Sequence, residues 1–285
     1  MISFVFNSSL FAYQFPEDND TPFGISAARA DILLEGDLAI PPPETDGKIA
    51  TLNQTGFMTP DQSPYNLQFI EFAKKSQHPV LDVGAAYGLV SLPALEQGAT
   101  VIANDIDERH LLLLREQTPP DLRGHLILSK RRFPNETEFP DNSLGAILLC
   151  RVAHFLTGDE MEHAIQKMKR WLIPGGRIVV VTLSPYHRLL KEKFLPIYLE
   201  RAREGNPWPG AIENMHEYVP HEADKIPKFV HVMDTNSLGK AFRKYEFTVI
   251  EEGLFDYTRP TAIPNDGKGY YGIIVEKPNK SQEEL

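Results

Sequence analysis

Three stretches of the chain carry side chains whose type and spacing suit chemistry. In Asp82-Val83-Gly84-Ala85-Ala86-Tyr87-Gly88 an acid is followed by two glycines in a turn that leaves an apolar run. Missing side chains there let a ligand approach the backbone, and a helix starting just beyond would offer unpaired N–H groups. The alternative is a tight turn chosen for packing. Asp82, near the end of a buried strand, is costly unless paired, and a cationic or hydroxyl-bearing ligand group would do so. Asp105 ends the next apolar run and can accept hydrogen bonds from both hydroxyls of a ribose. It could instead cap the following helix, a role that suits Asp107 better. Together these residues point to an adenosine-containing ligand.

His154 and His187 are the candidate general bases, because imidazole titrates near neutrality, although either could simply pack or cap. The stretch His216-Glu217-Tyr218-Val219-Pro220-His221 invites a metal reading. Its spacing, broken by Pro220, does not put both histidines on one helical face as His-Glu-x-x-His does, so no metal site is expected. Cys150 is the one cysteine, which rules out an intramolecular disulfide or a cysteine-based zinc site and fits a reducing compartment, by default the cytoplasm. A net charge of −10 argues against a broad nucleic-acid surface. Lys130-Arg131-Arg132, the densest basic cluster, reads as a solvated loop or a cofactor rim. The apolar start, 1–6, lacks a basic flank and soon meets Glu17, Asp18 and Asp20, so it makes a poor signal peptide. No apolar run approaches the roughly 18 residues of a membrane span.

The elements that must position these residues follow from the hydrophobic pattern. A chain of 285 residues, 42% hydrophobic and 24% charged, can bury a full core. Residues 1–62 mix aromatics, glycines and Pro41-Pro42-Pro43 without steady periodicity and read as an irregular extension. From Ser63-Pro64 an N-cap and a first-turn proline open a helix that reaches Ser76. Then strands are expected at 80–83, 100–103, 125–128, 144–149 and 177–182, alternating with helices at 89–97, 107–117 and 158–172. Apolar runs alternating with helices predict a parallel sheet covered on both faces, with ligands beyond the C-terminal strand ends where the winding reverses. Beyond Leu183 the rhythm breaks. The stretch 186–204 is mostly helical in pattern, 206–229 is rich in proline, histidine and acids, and 235–244 suggests another helix. Two final strands, 246–251 and 270–276, have no helix between them, which permits an antiparallel pair. The tail 277–285 is expected to fray.

These residues, with Pro140-Asp141-Asn142-Ser143 before the fourth strand and Trp171-Leu172-Ile173-Pro174-Gly175-Gly176 before the fifth, resemble class I S-adenosylmethionine-dependent methyltransferases. The likeness covers roughly 63–183. It implies a Rossmann-like α/β fold: a mostly parallel seven-stranded sheet ending in a C-terminal antiparallel hairpin. It also implies a core over 63–183 that binds S-adenosylmethionine, an N-terminal extension or lid over 1–62, a substrate cover inserted at 184–240 and sheet-completing strands over 241–277. By the resemblance, Asp82, Gly84, Ala85, Ala86 and Gly88 form the loop under the methionine end of the cofactor. Asp105 meets the ribose, Ile106 beside it belongs to the cofactor site, and Cys150 and Arg151 open the segment facing the methyl group. After the third strand the family usually carries an acid that holds the adenine amino group. Here Ser129-Lys130-Arg131-Arg132-Phe133 stands instead, so backbone near Arg132 and stacking by Phe133 would replace it. A nicotinamide-binding protein would more typically show Gly-x-Gly-x-x-Gly, which Gly84, Ala86 and Tyr87 do not supply.

The implied activity is methyl transfer to an acceptor, a small molecule first, a protein side chain next and RNA third. The contrasting reading is a non-catalytic interaction module that keeps the fold. Tyr186, Trp208, Tyr218 and His231 would either line an acceptor pocket or pack the insert, and Phe57 and Tyr65 would close over the cofactor. Nothing in the sequence sets the oligomeric state or names the acceptor.

Overall fold

The apolar runs in the middle of the chain become parallel strands of one sheet. The computed structural model describes residues 15–257 and 266–279 except 30, 33, 35, 36 and 46, so the expectations for 1–6 and for most of the tail lie outside the described residues. In chain order the elements are β1 (Ile25–Ser26), a small hairpin of β2 (Ile49–Ala50) and β3 (Phe57–Met58), α1 (Pro64–Ala73), β4 (Val80–Val83), α2 (Ser91–Glu96), β5 (Val101–Asp105) and α3 (Glu108–Gln117). Next come β6 (Leu126–Lys130), β7 (Leu144–Cys150), α4 (Gly158–Trp171), β8 (Leu172–Leu183), α5 (Leu195–Arg203), β9 (Ala211–Ile212), β10 (Val230–His231), α6 (Lys240–Lys244), β11 (Thr248–Phe255) and β12 (Tyr270–Glu276).

The main sheet has eight strands in the order β1-β6-β5-β4-β7-β8-β12-β11. Strands β4 to β8 are mutually parallel, whereas β1, β12 and β11 run antiparallel to their neighbours. The winding reverses at β4, between β5 and β7, which is where such sheets open a crevice. The sequence led to seven strands; the eighth is β1, supplied by the extension. Two residues are too few to carry an alternating pattern. What fixes them is Gly24, at φ 148°, where a Cβ would run into the Leu128 carbonyl.

Both faces of the sheet are covered. Met161, Ile165, Met168 and Trp171 of α4 pack with Phe242 of α6 on one side, and α1, α2 and α3 cover the other. Local signals set where the helices begin. Ser63 Oγ accepts the Asn66 N–H at 3.0 Å and Asp107 Oδ1 that of Arg109 at 3.0 Å. Thr157 and Glu160 bond reciprocally at 3.2 and 3.0 Å. Each cap contributes about 1 kcal/mol.

Three expectations change. Pro174-Gly175-Gly176 is not a full break before a strand: β8 pairs Leu172 with Leu144, departs, and resumes with Arg177 opposite Ala146. Gly175, at φ 75°, allows the excursion, and its N–H bonds the Lys277 carbonyl at 2.8 Å. The helix expected over 235–244 starts as a π-turn, Thr235–Gly239, before α6. Tyr65 does not close over a ligand; it is buried on the sheet, its ring centroid 5.3 Å from that of Phe255 and its edge against Gly272.

A Cβ at Gly272 would strike the Tyr65 ring. Gly272→Ala should therefore destabilise the protein by about 1–3 kcal/mol, and much less in a Tyr65→Ala background. Urea unfolding of the four proteins of that cycle measures the coupling; additive effects would mean that the two residues do not meet.

Candidate active site

The loop after β4 lies at the C-terminal edge of the sheet, and its glycines are needed for backbone shape. Gly84, Ala86 and Gly88 have φ of 66°, 44° and 86°. A Cβ on Gly84 would meet the Val152 side chain and one on Gly88 the Leu114 side chain. The N–H groups of the loop itself are used within the protein. Those of Gly84 and Ala85 bond the Asn104 carbonyl at 2.8 and 3.0 Å, and that of Gly88 bonds the Ala85 carbonyl at 2.8 Å. The Ala86 N–H goes to Asp105 Oδ2 at 3.0 Å, and that of Tyr87 to the Met58 sulfur at 3.4 Å. The helix that follows starts at Ser91 and has six residues.

Asp105 is buried and holds three elements together. Besides the Ala86 N–H, its carboxylate takes the Asp107 N–H at 2.9 Å and faces His110 Nδ1 at 3.1 Å. His110 Nε2 accepts the Leu52 N–H at 3.1 Å, so the ring proton sits on Nδ1 and is donated to Asp105. Leu52 lies between β2 and β3. Arg109 donates to the Leu52 carbonyl and the Tyr87 hydroxyl to the Ala50 carbonyl, both at 3.0 Å. The hairpin thus seats on the loop and on α3, a connection that no pattern in the extension announces. Beside Asp105, Ile106 is 51% exposed, an apolar face open at the strand end.

Asp82 finds its partner in the chain rather than in a ligand. Ser91 Oγ donates to Asp82 Oδ2 at 2.7 Å, and burial pushes the Asp82 carboxyl up to about 7. Beyond β6, Arg132 is exposed and its N–H donates to Glu136 Oε2 at 2.9 Å. Phe133 is buried and edge-on to Trp171 at 6.5 Å, so it packs the core face carrying α4 instead of presenting a face for stacking.

Beyond β7 the chain splits. Cys150 accepts a hydrogen bond from Asn66 Nδ2 at 3.4 Å, and desolvation raises its thiol to about 11. Arg151, at φ 61°, bonds the Val181 carbonyl through its N–H at 2.7 Å, and its guanidinium carbon lies 5.9 Å from the Tyr270 ring centre. Its Nε and Nη1 are buried without a partner among the described residues, as is Nδ1 of His154. Burial first, then the charge of Arg151, lowers His154 to about 3. His187 is lowered to about 4, chiefly by burial, and its Nδ1 accepts the Leu189 N–H at 3.3 Å. Both imidazoles are therefore neutral at pH 7, and His187 caps a short turn.

The insert has its own small core, built on Leu190, Phe194, Tyr198, Ile212, Val230 and Val232. Tyr218 packs against Phe194 at 6.1 Å, and Trp208 packs against His231 at 5.3 Å and over Gly158. These aromatics pack the insert. His216 Nε2 bonds the Ile226 carbonyl at 2.8 Å, and among the described residues no three His, Cys, Asp or Glu side chains gather as metal ligands. No helix among them is long and apolar enough to cross a membrane. Sequence reasoning missed Tyr257 and Tyr270, whose rings stand 4.8 Å apart beside Arg151. Their only signal is two tyrosines flanking the last turn.

Residues 81–180 match the family model of the methyltransferase domain. No curated protein is significantly similar in sequence. Among solved structures, a SAM-dependent methyltransferase from Methanosarcina mazei aligns with a TM-score of 0.54 at 16% identity, over 77% of this chain and 100% of that one. An S-adenosylmethionine-dependent methyltransferase from Mesorhizobium loti aligns with a TM-score of 0.56 at 14% identity, over 75% and 98%. At such identity the likeness establishes the fold.

The buried histidines make stability depend on acid. His154 and His231 fall from 6.5 to about 3 and about 4, each chiefly through burial. Between about pH 4 and 6.5 the unfolded chain binds protons that the folded chain refuses, so stability drops as pH falls, by up to roughly 1.4 kcal/mol per pH unit for each group. Asp82, raised to about 7, works the other way, stabilising at low pH and losing that contribution as pH rises through about 7. Urea unfolding at pH 7 and pH 5 should show His231→Leu losing about 1–2 kcal/mol less than wild type between the two. Equal losses would place the His231 proton outside this balance.

Proposed function

We propose, from the match of residues 81–180 to the methyltransferase-domain model and from the order of the sheet, that the protein transfers a methyl group from S-adenosylmethionine to a small-molecule acceptor. The observation that carries the reading is Asp105, a buried carboxylate at the end of β5, next to the winding reversal, with the half-exposed Ile106 beside it. Its two oxygens offer about four acceptor positions, of which the protein fills three, counting Ala86, Asp107 and His110. Capacity for a ribose hydroxyl remains. The left-handed turn at Gly84 packs closely against Val152, and the amino-acid end of the same cofactor would lie over the loop that this turn shapes. Ala85, Ala86 and Gly88 would shape this cradle, and Cys150 would bound it beyond β7, with the Arg151 guanidinium turned away over Tyr270. Asp82 would act through Ser91, holding the start of α2 under the loop.

The cofactor supplies an activated methyl on a sulfonium, so the chain needs to align the acceptor and exclude water. The β2–β3 hairpin and the insert together keep water out. Lys225 Nζ of the insert pairs with Glu44 at 2.5 Å and lies 5.6 Å from the Phe57 ring centre. His154, held neutral well above its lowered pKa, is a weak base and a good hydrogen-bond acceptor. His187 is likewise neutral and would serve to position the chain after β8 rather than move a proton. The acceptor atom therefore arrives ready to attack, as an ionised oxygen, a sulfur or an amine.

Calorimetric titration tests this. Wild type should bind S-adenosylmethionine and S-adenosylhomocysteine but not NAD, and Asp105→Asn should weaken both by at least about tenfold, since a hydrogen bond to a charged group contributes about 1.5–3 kcal/mol. A folded wild type that binds neither sinks the proposal, and tight NAD binding would redirect it to oxidoreduction. Transfer of labelled methyl into the small-molecule rather than the protein fraction of a cell extract then decides the acceptor class.

A further inference from the structure

The buried guanidinium of Arg151 is the outstanding unpaired charge at the sheet's C-terminal edge. Nε and Nη1 have no hydrogen-bond partner among the described residues. Leaving such donors orphaned is expensive, and a planar fork of N–H groups matches a carboxylate or phosphate oxygen pair. Its direction is fixed by its neighbours. Val152 turns toward the loop after β4 and meets Gly84, while Arg151 runs over Tyr270 of β12. In the order β4-β7-β8-β12 the ring belongs to a strand two places beyond β7, roughly 10 Å across the sheet and on the side away from the glycine loop. Around the charge stand Tyr270, Tyr257 and His187, with ring centroids of 4.8 Å for the tyrosine pair and 6.3 Å for His187 and Tyr270. His154, whose buried Nδ1 also has no partner among the described residues, lies near enough to feel the charge of Arg151.

We propose that Arg151, with Tyr257 and Tyr270, forms an oxyanion-binding subsite for the methyl acceptor, so that the substrate is an acid with a flat apolar body. The identification of that ligand as the acceptor rests on the function proposed above; the subsite itself rests on the orphaned guanidinium and its aromatic walls. The anion anchors the substrate through paired N–H···O bonds, the tyrosine rings hold its body, and the atom that receives the methyl group lies elsewhere on the molecule. An anion also relieves both histidines of a neighbouring positive charge.

The test titrates the full chain, saturated with S-adenosylhomocysteine, with benzoate and with its neutral counterpart benzamide. Wild type should bind benzoate saturably and benzamide at least about tenfold more weakly. Arg151→Met should bring benzoate down to the benzamide level, leave the S-adenosylhomocysteine affinity within about threefold, and hold or raise the unfolding temperature, because it removes an unpaired buried charge. Should Arg151→Met not fold, Arg151→Lys, which keeps the charge but loses the fork, should weaken benzoate at least about threefold. Equal binding of the two probes, or benzoate binding indifferent to these substitutions, overturns the subsite. A tenfold loss of S-adenosylhomocysteine in Arg151→Met also overturns it, by assigning the guanidinium to the cofactor's carboxylate. If wild type binds no S-adenosylhomocysteine the proposed function fails, and the same two titrations on the unsaturated protein still decide whether Arg151 holds an oxyanion.

Discussion

A carboxylate at the end of a buried strand has to be satisfied, and at Asp105 that requirement organises the whole upper edge of the sheet. One oxygen fixes the Ala86 N–H and with it the left-handed loop after β4. The other takes the Asp107 N–H, where the cap of α3 begins, and the His110 ring. His110 passes the connection to Leu52, so the N-terminal hairpin is held by the same charge that shapes the loop. Charge-assisted hydrogen bonds of this kind are about twice as strong as neutral ones, and in a poorly solvated setting each supports the next. Removing the charge would release a loop, a helix start and a cover together.

Arg151 is the counterpart. It stands at the end of β7 as Asp105 stands at the end of β5, yet the chain supplies the acid with three partners and offers Nε and Nη1 of the base none among the described residues. Stability alone does not select an orphaned guanidinium, since an apolar side chain of similar volume packs without the desolvation penalty. The same contrast separates the polar groups nearby. Asp82 has Ser91 and Cys150 has Asn66, whereas His154 Nδ1 has nothing.

What was legible in the sequence was local. Ser63, Asp107 and the glycines of the first loop announce themselves within four residues, and the parallel strands appear as apolar runs because both faces are covered. The antiparallel final pair followed from a connection without a helix. What escaped depends on contacts distant in sequence. Strand β1 is two residues long and exists because Gly24 can touch the Leu128 carbonyl. The hairpin is fixed by His110 and Tyr87, more than thirty residues away along the chain. Phe133 faces inward because Trp171 ends α4 opposite it, and Tyr65 because Gly272 leaves a space of its shape. The orphaned state of Arg151 is the least legible of all, being a statement about what fails to face it.

The way the hairpin is attached also bears on how a ligand reaches the site. Its hydrogen bonds to the body of the protein run between side chains and backbone: Tyr87 and Arg109 donate to the Ala50 and Leu52 carbonyls, the Leu52 N–H donates to His110, and the Tyr87 N–H to the Met58 sulfur. None belongs to the eight-stranded ladder, and β2 and β3 pair only with each other. The tie to the insert, Lys225 to Glu44, is a partly exposed ion pair of the kind that contributes about 0–1 kcal/mol. Lifting the hairpin therefore breaks a handful of separate bonds and leaves the sheet intact, which places it at the low end of the protein's range of local stabilities. Opening a cover attached in this way would leave the sheet folded. When it seats, it closes through the same Asp105 network that shapes the cofactor loop, so the exclusion of water and the preparation of the loop are a single event.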